Sequence, residues 1–279
     1  MEKLTVTQIQ RLSELNAPFE VISKGFENIA DRDSYFKEIE IVLSRQSKTK
    51  LIKFLSEEHV PLVNKIENDL KEWLTKQEGF NQVNTPLILP KNMLEKMSIT
   101  EEHPLTKQVF WLDDKRCLRP MLAPNLYTLM RDIYKITKEP VRIFEVGPCF
   151  RKETQGARHM NEFTMLNLVE MAGCKDGDQN KRLKELAISA MKAIGFENYQ
   201  LEETESEVYG ETLDIVSGDI EIASCATGPH PLDEKWGVFQ NWVGIGFGIE
   251  RIALAMGGYE NIKRVGRSLS YLDGSRLNI

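Results

Sequence analysis

The residues best equipped for chemistry stand at the mouth of an expected hairpin. Arg151 and Glu153 are two positions apart, and Phe163 follows after a polar, basic loop. A strand sends side chains i and i+2 to one face, so a cation and an anion share a face near an aromatic ring. A guanidinium grips phosphate, a carboxylate accepts from an amine, and an aromatic plate stacks a base. The same residues also fit a plainer arrangement, a cross-strand salt bridge beside a core ring. A second centre is Gly244, Gly246 and Gly248, alternating before Glu250 and Arg251. Alternate glycines strip one face of a sheet, where a flat ligand can lie against the backbone. The helix dipole disfavours a cation at a helix start, so Arg251 points either to an anion held nearby or to a surface position. Glu221 and Ser224 supply oxygens that suit magnesium beside phosphate. Strand parity separates those two unless a bulge intervenes, and Glu221 by itself reads as a solvated strand carboxylate. Together the two arginines, the ring and the glycine shelf outline a site for a bent triphosphate.

Several elements must position these groups. Val141, Ile143 and Phe144 before the loop, and Phe163, Met165, Leu166 and Leu168 after it, predict a hairpin over 141–171. Residues 213–216 and 220–226 predict a second, through Ser217-Gly218-Asp219, and residues 109–118 a third, around Asp113-Asp114-Lys115. Helices are predicted over 5–15 and 31–55, the latter with a weak stripe of Tyr35, Ile39, Leu43, Ile52 and Leu55. Another follows Pro61, with Leu62, Ile66, Leu70, Trp73 and Leu74 at helical spacing and Gly79 as its stop. Residues 80–89 are then extended, and Thr85-Pro86 places that strand at an edge or a dimer seam. Further helices follow from Pro124, over 178–194, and over 252–256. Hairpins with helices segregated around them indicate an α+β domain and not a doubly wound one.

Composition narrows the partners. The chain has 279 residues, 41% hydrophobic and 28% charged, with a net charge of -6. That balance describes a globular protein and argues against binding nucleic acid by bulk electrostatics. Local basic patches, such as Lys48, Lys50 and Lys53 or the tail bases Lys263, Arg264 and Arg267, read as solvated faces or as RNA-backbone contacts. The N-terminus lacks the apolar core of a signal peptide, and no apolar run is long enough to span a membrane. Four scattered cysteines suggest neither a zinc site nor a disulfide framework, so a reducing cytoplasm is the expected location.

These pieces resemble the class II aminoacyl-tRNA synthetases. The helix after Pro61 with the Pro86 strand resembles the first class motif. Phe150-Arg151-x-Glu153 with its loop and Phe163 resembles the second, and Gly246-x-Gly248-x-Glu250-Arg251 the third. Within the class, three stretches are similar to the pyrrolysyl-tRNA synthetase family. They are Arg119-Pro120-Met121-Leu122-Ala123-Pro124-Asn125-Leu126-Tyr127, Phe163-Thr164-Met165-Leu166-Asn167 and Gly244-x-Gly246-Phe247-Gly248-x-Glu250-Arg251. The closing Ser268-x-Ser270-Tyr271-x-x-Gly274 fits as well. The resemblance implies an antiparallel β-sheet flanked by helices, with the catalytic domain over 59–279. It implies a homodimer and the form that lacks a separate tRNA-binding domain; the N-terminal helical extension over 1–58 and the basic tail are the candidate tRNA contacts.

The resemblance also implies roles. Arg151 would hold the α-phosphate and the amino acid carboxylate. Glu153 would accept from the adenine amino group, and Phe163 and Arg251 would stack the adenine from its two faces, Arg251 also reaching the γ-phosphate. Arg158 or His159 would touch the outer phosphates. Glu221 and Ser224 would bind Mg2+. Asn167 would read the amide carbonyl of the substrate side chain. Ala123, Leu126, Tyr127, Met130, Val169, Ala226, Trp242 and Gly244 would line a deep pocket, over which Tyr209 closes. The implied reaction is ATP-dependent charging of tRNA(Pyl) with pyrrolysine. A synthetase for another large amino acid such as phenylalanine, and a non-catalytic tRNA-binding paralogue, are the alternatives. Cys225-Ala226-Thr227 stands where a common version of the family has Ala-Val-Val, and Val169 where it has Cys. Ala226 is expected to remove pocket volume-filling atoms and Cys225 to add some.

Overall fold

The computed structural model describes residues 1–56, 59–152, 156–206 and 208–278. They form two compact units, one of Met1–Leu62 with Lys263–Ile279 and one of Val63–Ile262.

In the first unit, Thr5 and Gln8 close a reciprocal capping box that starts α1 (Val6–Glu14). Leu12 is fully buried against Leu4 and Phe26, and Tyr35, Ile39 and Leu43 of α2 (Ile29–Ser56) pack on that cluster. Ile52 and Leu55 are exposed, so the expected apolar stripe ends at Leu43. Lys48, Lys50 and Lys53 are exposed as well.

The second unit is built on a sheet. It is preceded by α3 (Leu62–Lys76), whose Ile66, Leu70, Trp73 and Leu74 are fully buried. Each such side chain contributes about 1.5–3 kcal/mol. Gly79 ends the turn beyond it with φ 71°, a left-handed conformation that suits glycine. The extended stretch that follows contributes two short strands, β1 (Asn81–Gln82) and β2 (Ile88–Pro90), and Thr85-Pro86 lies in neither. β2 pairs antiparallel with β3 (Arg116–Leu118) in a separate two-stranded sheet. The hairpin predicted over 109–118 forms, as a short one. Trp111 bridges Cys117 antiparallel, Leu118 N donates to Phe110 O at 2.9 Å and Leu112 N to Arg116 O at 2.9 Å, while the other edge of β3 pairs with β2.

Helix α4 (Ala123–Thr137) has Pro in its first turn, where its missing N–H costs nothing. Then come β4 (Val141–Phe150) and β5 (Glu162–Met171), the predicted hairpin, and α5 (Gln179–Ala193). Trp73 of α3 donates to Ser189 of α5 at 2.9 Å. Four more elements complete the sheet: β6 (Gln200–Ser206), β7 (Gly210–Ser217), β8 (Ile220–Gly228) and β9 (Trp242–Gly248). Glycine-rich β9 runs straight into α6 (Ile249–Gly257). The strand order is β1-β4-β5-β9-β8-β7-β6, antiparallel at every joint except β1-β4. This is the expected α+β class, and the 80–89 stretch supplies an edge strand as expected, though its parallel pairing is not revealed by the sequence pattern. Tyr209, expected to close over the pocket, lies between β6 and β7.

A buried ion pair ties the front of this sheet together. Arg119 Nη1 lies 2.7 Å from Glu145 Oε1, both side chains almost fully enclosed. Arg119 Nε also donates to Pro148 O at 2.8 Å, and Thr85 Oγ1 donates to Glu145 at 2.5 Å. Every charge in the cluster is thus met by hydrogen bonds, the condition under which burial is tolerated.

Candidate active site

Register places the candidate residues in rows across one face of the sheet. Asn167 on β5 pairs with Gly246 on β9, Gly246 with Ser224 on β8, and Ser224 with Asp214 on β7. Paired residues share a face, so this row crosses the floor of the site. The next row towards the edge of α4 is Val169, Gly244 and Ala226. Phe163 and Met165 lie on the same face in the opposite direction along β5. The glycines leave a trough. A Cβ built on Gly246 would stand 3.1 Å from the Asn167 amide, and one on Gly248 3.4 Å from Arg251 Cδ.

Glu221 and Ser224 depend on an irregularity. Glu221 pairs with Val216 and Ala223 with Ile215, so β8 carries one extra residue between them. Val216 and Asp214 have one parity on β7, and the bulge therefore brings their partners Glu221 and Ser224 to one face. Few carboxylates together with substrate phosphates is the donor set that magnesium prefers, and this pair fits it. Among the described residues no cluster of three or more His, Cys, Asp or Glu could hold a metal by itself.

A cavity of about 410 Å³ runs above these rows. Arg151, Arg158, His159, Phe163, Glu221, Ser224 and Arg251 line one half of it. Ala123, Leu126, Tyr127, Met130, Asn167, Val169, Tyr209, Ala226, Trp242 and Gly244 line the other. Glu153 lies outside the described residues. Arg151 is anchored, with Nε donating to Pro120 O at 2.9 Å and the guanidinium over Phe163 at 5.4 Å. Arg251 Nη1 lies 3.2 Å from Glu221 Oε1 and also donates to Glu221 O at 3.1 Å. A carboxylate thus already stands beside the cation that the helix dipole disfavours. Arg158 pairs with Asp219, at 2.5 Å, on the turn between β7 and β8. Glu250 is buried and accepts from Thr164 N at 2.8 and 3.0 Å, which locks the start of α6 onto β5.

The apolar half has a polar backing. Asn167 Oδ1 is buried and has no hydrogen-bond partner among the described residues. Behind Tyr127 and Trp242 sits Asp233, also buried. It accepts from Tyr127 Oη at 2.9 Å, Trp242 Nε1 at 2.9 Å and His230 N at 2.7 Å. The sequence pattern does not reveal this carboxylate, because its partners are as much as 106 positions away. Burial, Tyr209 and Asp233 all push the Tyr127 hydroxyl well above its ordinary range, so it stays protonated and donates. Cys225 differs from expectation. Its neighbours Ser224 and Ala226 face the cavity, so alternation turns Cys225 into the core on the other side, and it adds nothing to the pocket. Burial raises the Cys149 thiol to about 12 and the Cys117 thiol to about 11, which leaves neither a ready nucleophile.

A seven-stranded, mainly antiparallel sheet with an arginine hairpin and a glycine strand entering a helix defines a class II synthetase core. Residues 48–273 match the family model described as tRNA synthetases class II core domain (F). The crystal structure of pyrrolysyl-tRNA synthetase from Desulfitobacterium hafniense is 49% identical, covers 100% of this chain and 99% of that one, and superposes with a TM-score of 0.93. A second structure of that organism's enzyme is 48% identical, with a TM-score of 0.91. Among curated relatives, an O-phosphoserine–tRNA(Cys) ligase of Methanocorpusculum labreanum is 23% identical over 53% of this chain. A histidine–tRNA ligase of Methanococcus vannielii is 25% identical over 43%. The chain covers only 30% and 28% of the lengths of those two relatives. The chain belongs to the class II aminoacyl-tRNA synthetases and, within them, to the pyrrolysyl-tRNA synthetase family.

Proposed function

We propose that this protein charges tRNA(Pyl) with pyrrolysine through a pyrrolysyl-adenylate. The observation that carries this reading is the buried Asn167 Oδ1, without a hydrogen-bond partner among the described residues, in an apolar cavity that opens into an arginine-and-glycine trough. Pyrrolysine is a lysine acylated on its ε-nitrogen, so its far end carries no ammonium. It calls for apolar walls and an amide reader, and an unpaired carboxylate there would be costly. Asp233 respects that rule because three donors occupy it. Phenylalanine would leave the Asn167 amide without a partner, at a cost of about 1–3 kcal/mol.

The chemistry is positioning and charge neutralisation. The substrate carboxylate is already ionised and needs no base. One of its oxygens attacks the α-phosphorus of ATP in line, the bond to the bridging oxygen breaks, and pyrophosphate leaves. Arg151 holds the α-phosphate and the carboxylate. Phe163 and Arg251 sandwich the adenine, whose amino group donates to Glu153. Arg251, with Arg158 or His159, steadies the outer phosphates, and Arg158 must leave Asp219 to do so. Glu221 and Ser224 would hold Mg2+, which supplies further neutralisation of phosphate charge. The 3′-hydroxyl of the terminal adenosine of tRNA then attacks the adenylate carbonyl, releasing AMP and a proton. Tyr209 covers the pocket. We assign the catalytic domain to 59–279, tRNA contact to the extension over 1–58, a homodimer seam to α3 and the Pro86 stretch, and the protein to the cytoplasm. Among the described residues no helix is long and apolar enough to cross a membrane.

ATP–pyrophosphate exchange across a panel of amino acids tests this reading. Exchange is expected with pyrrolysine and close Nε-acyl lysines, and not with phenylalanine. Exchange with phenylalanine alone would transfer the enzyme to another specificity. No exchange with any amino acid would make it a binding protein.

A further inference from the structure

We propose that His230 is a positioning residue that holds the Tyr209 cover shut and thereby sets affinity for the amino acid. The inference rests on the functional reading above. His230 stands outside the cavity lining, in the loop between β8 and β9, yet every polar atom of its imidazole is engaged. Nδ1 lies 3.1 Å from Leu232 N, which can only donate, so Nδ1 is the acceptor. Nε2 lies 2.9 Å from Tyr209 O, which can only accept, so Nε2 carries the proton. One neutral tautomer satisfies both contacts, and its assignment follows from the partners.

The loop that carries this ring is itself fixed to the pocket. His230 N donates to Asp233 Oδ2 at 2.7 Å, and Asp233 N donates back to His230 O at 2.9 Å. The same Asp233 carboxylate accepts from Tyr127 and Trp242, two walls of the apolar half. The Tyr209 ring meets the His230 ring edge-on, with centroids 5.5 Å apart, and Trp242 at 6.1 Å. Tyr209 is thus gripped from outside through its carbonyl and braced from inside by its ring. Within the turn that presents it, Val208 N and Tyr209 N donate to Ser206 Oγ at 3.2 and 3.4 Å. The imidazole thus joins the hairpin tip to the wall from outside, beside the ring contact of Tyr209 with Trp242.

Losing one neutral hydrogen bond changes an equilibrium by about tenfold. In pyrophosphate exchange, His230→Ala is expected to raise the KM for pyrrolysine about tenfold, with kcat and the KM for ATP within about twofold of wild type. Bound adenylate should be lost correspondingly faster on gel filtration. His230→Gln retains an N–H of similar reach and is expected to recover most of the affinity. An unchanged pyrrolysine KM in His230→Ala would overturn the proposal. So would an equal loss in kcat, in both KM values and in melting temperature, with no recovery in His230→Gln. If wild type shows no exchange with pyrrolysine, the functional reading fails by itself. The same comparison, run with whichever amino acid supports exchange, then decides the role of His230.

Discussion

Replacing Arg151 by alanine is expected to lower amino-acid-dependent pyrophosphate exchange by about 100-fold or more, the cost of one preorganised donor at a site of developing charge. The expectation comes from how Arg151 is held. It stands just past the end of β4, its Nε is spent on Pro120 O, and its guanidinium lies against Phe163. The side chain is therefore aimed before substrate arrives, and the cavity receives an oriented fork in place of a mobile charge. Arg151→Lys keeps the charge and loses the fork, and it should recover only a minor part of the rate. The melting temperature should move little, since the group lines a cavity. An Arg151→Ala enzyme with unimpaired exchange would remove this residue from the mechanism.

The second large effect falls on stability. Arg119→Met leaves Glu145 buried without its cation, and breaking such a pair costs about 3–5 kcal/mol. For a domain of this size that lowers the melting temperature by about 10 °C. Replacing both partners, as Arg119→Met with Glu145→Leu, should restore much of the loss, because no uncompensated charge then remains. Activity should fall further than stability in the single variant. Arg119 O accepts from Phe150 N at 3.0 Å, and Pro120 O anchors Arg151, so the ion pair sits one residue from the support of Arg151. A loss under about 1 kcal/mol would contradict the account of this cluster.

The site was legible wherever local pattern and tertiary need agree. The hairpin of β4 and β5, the glycine strand and its helix could be read because alternation and glycine punctuation are local signals. The pairing of Glu221 with Ser224 was legible only as a condition, since parity opposes it and a bulge resolves it. The parallel pairing of β1 was not legible, although its edge position was. It exists because Phe144 and its neighbours on β4 offer an open edge, which nothing in Asn81-Gln82 announces. The 109–118 hairpin was legible from its turn residues, but the pairing of its second arm with β2 was not. His230 and Asp233 were missed because the contacts that tie them to the pocket, to Tyr209 and Tyr127, lie 21 and 106 positions away in the chain. Composition near them shows only a proline-bearing loop. The placement of Cys225 shows how far one parity step matters. It stands beside a pocket residue and faces away from the pocket.

Charging of a tRNA(Pyl) transcript, followed by separation of acylated from free tRNA, tests the central claim most directly. With ATP, magnesium and pyrrolysine, the wild-type protein is expected to acylate the transcript. Omitting ATP, or supplying phenylalanine or free lysine instead, should give none. Acylation with phenylalanine, or none under the complete conditions while the D. hafniense enzyme succeeds alongside, would contradict the account.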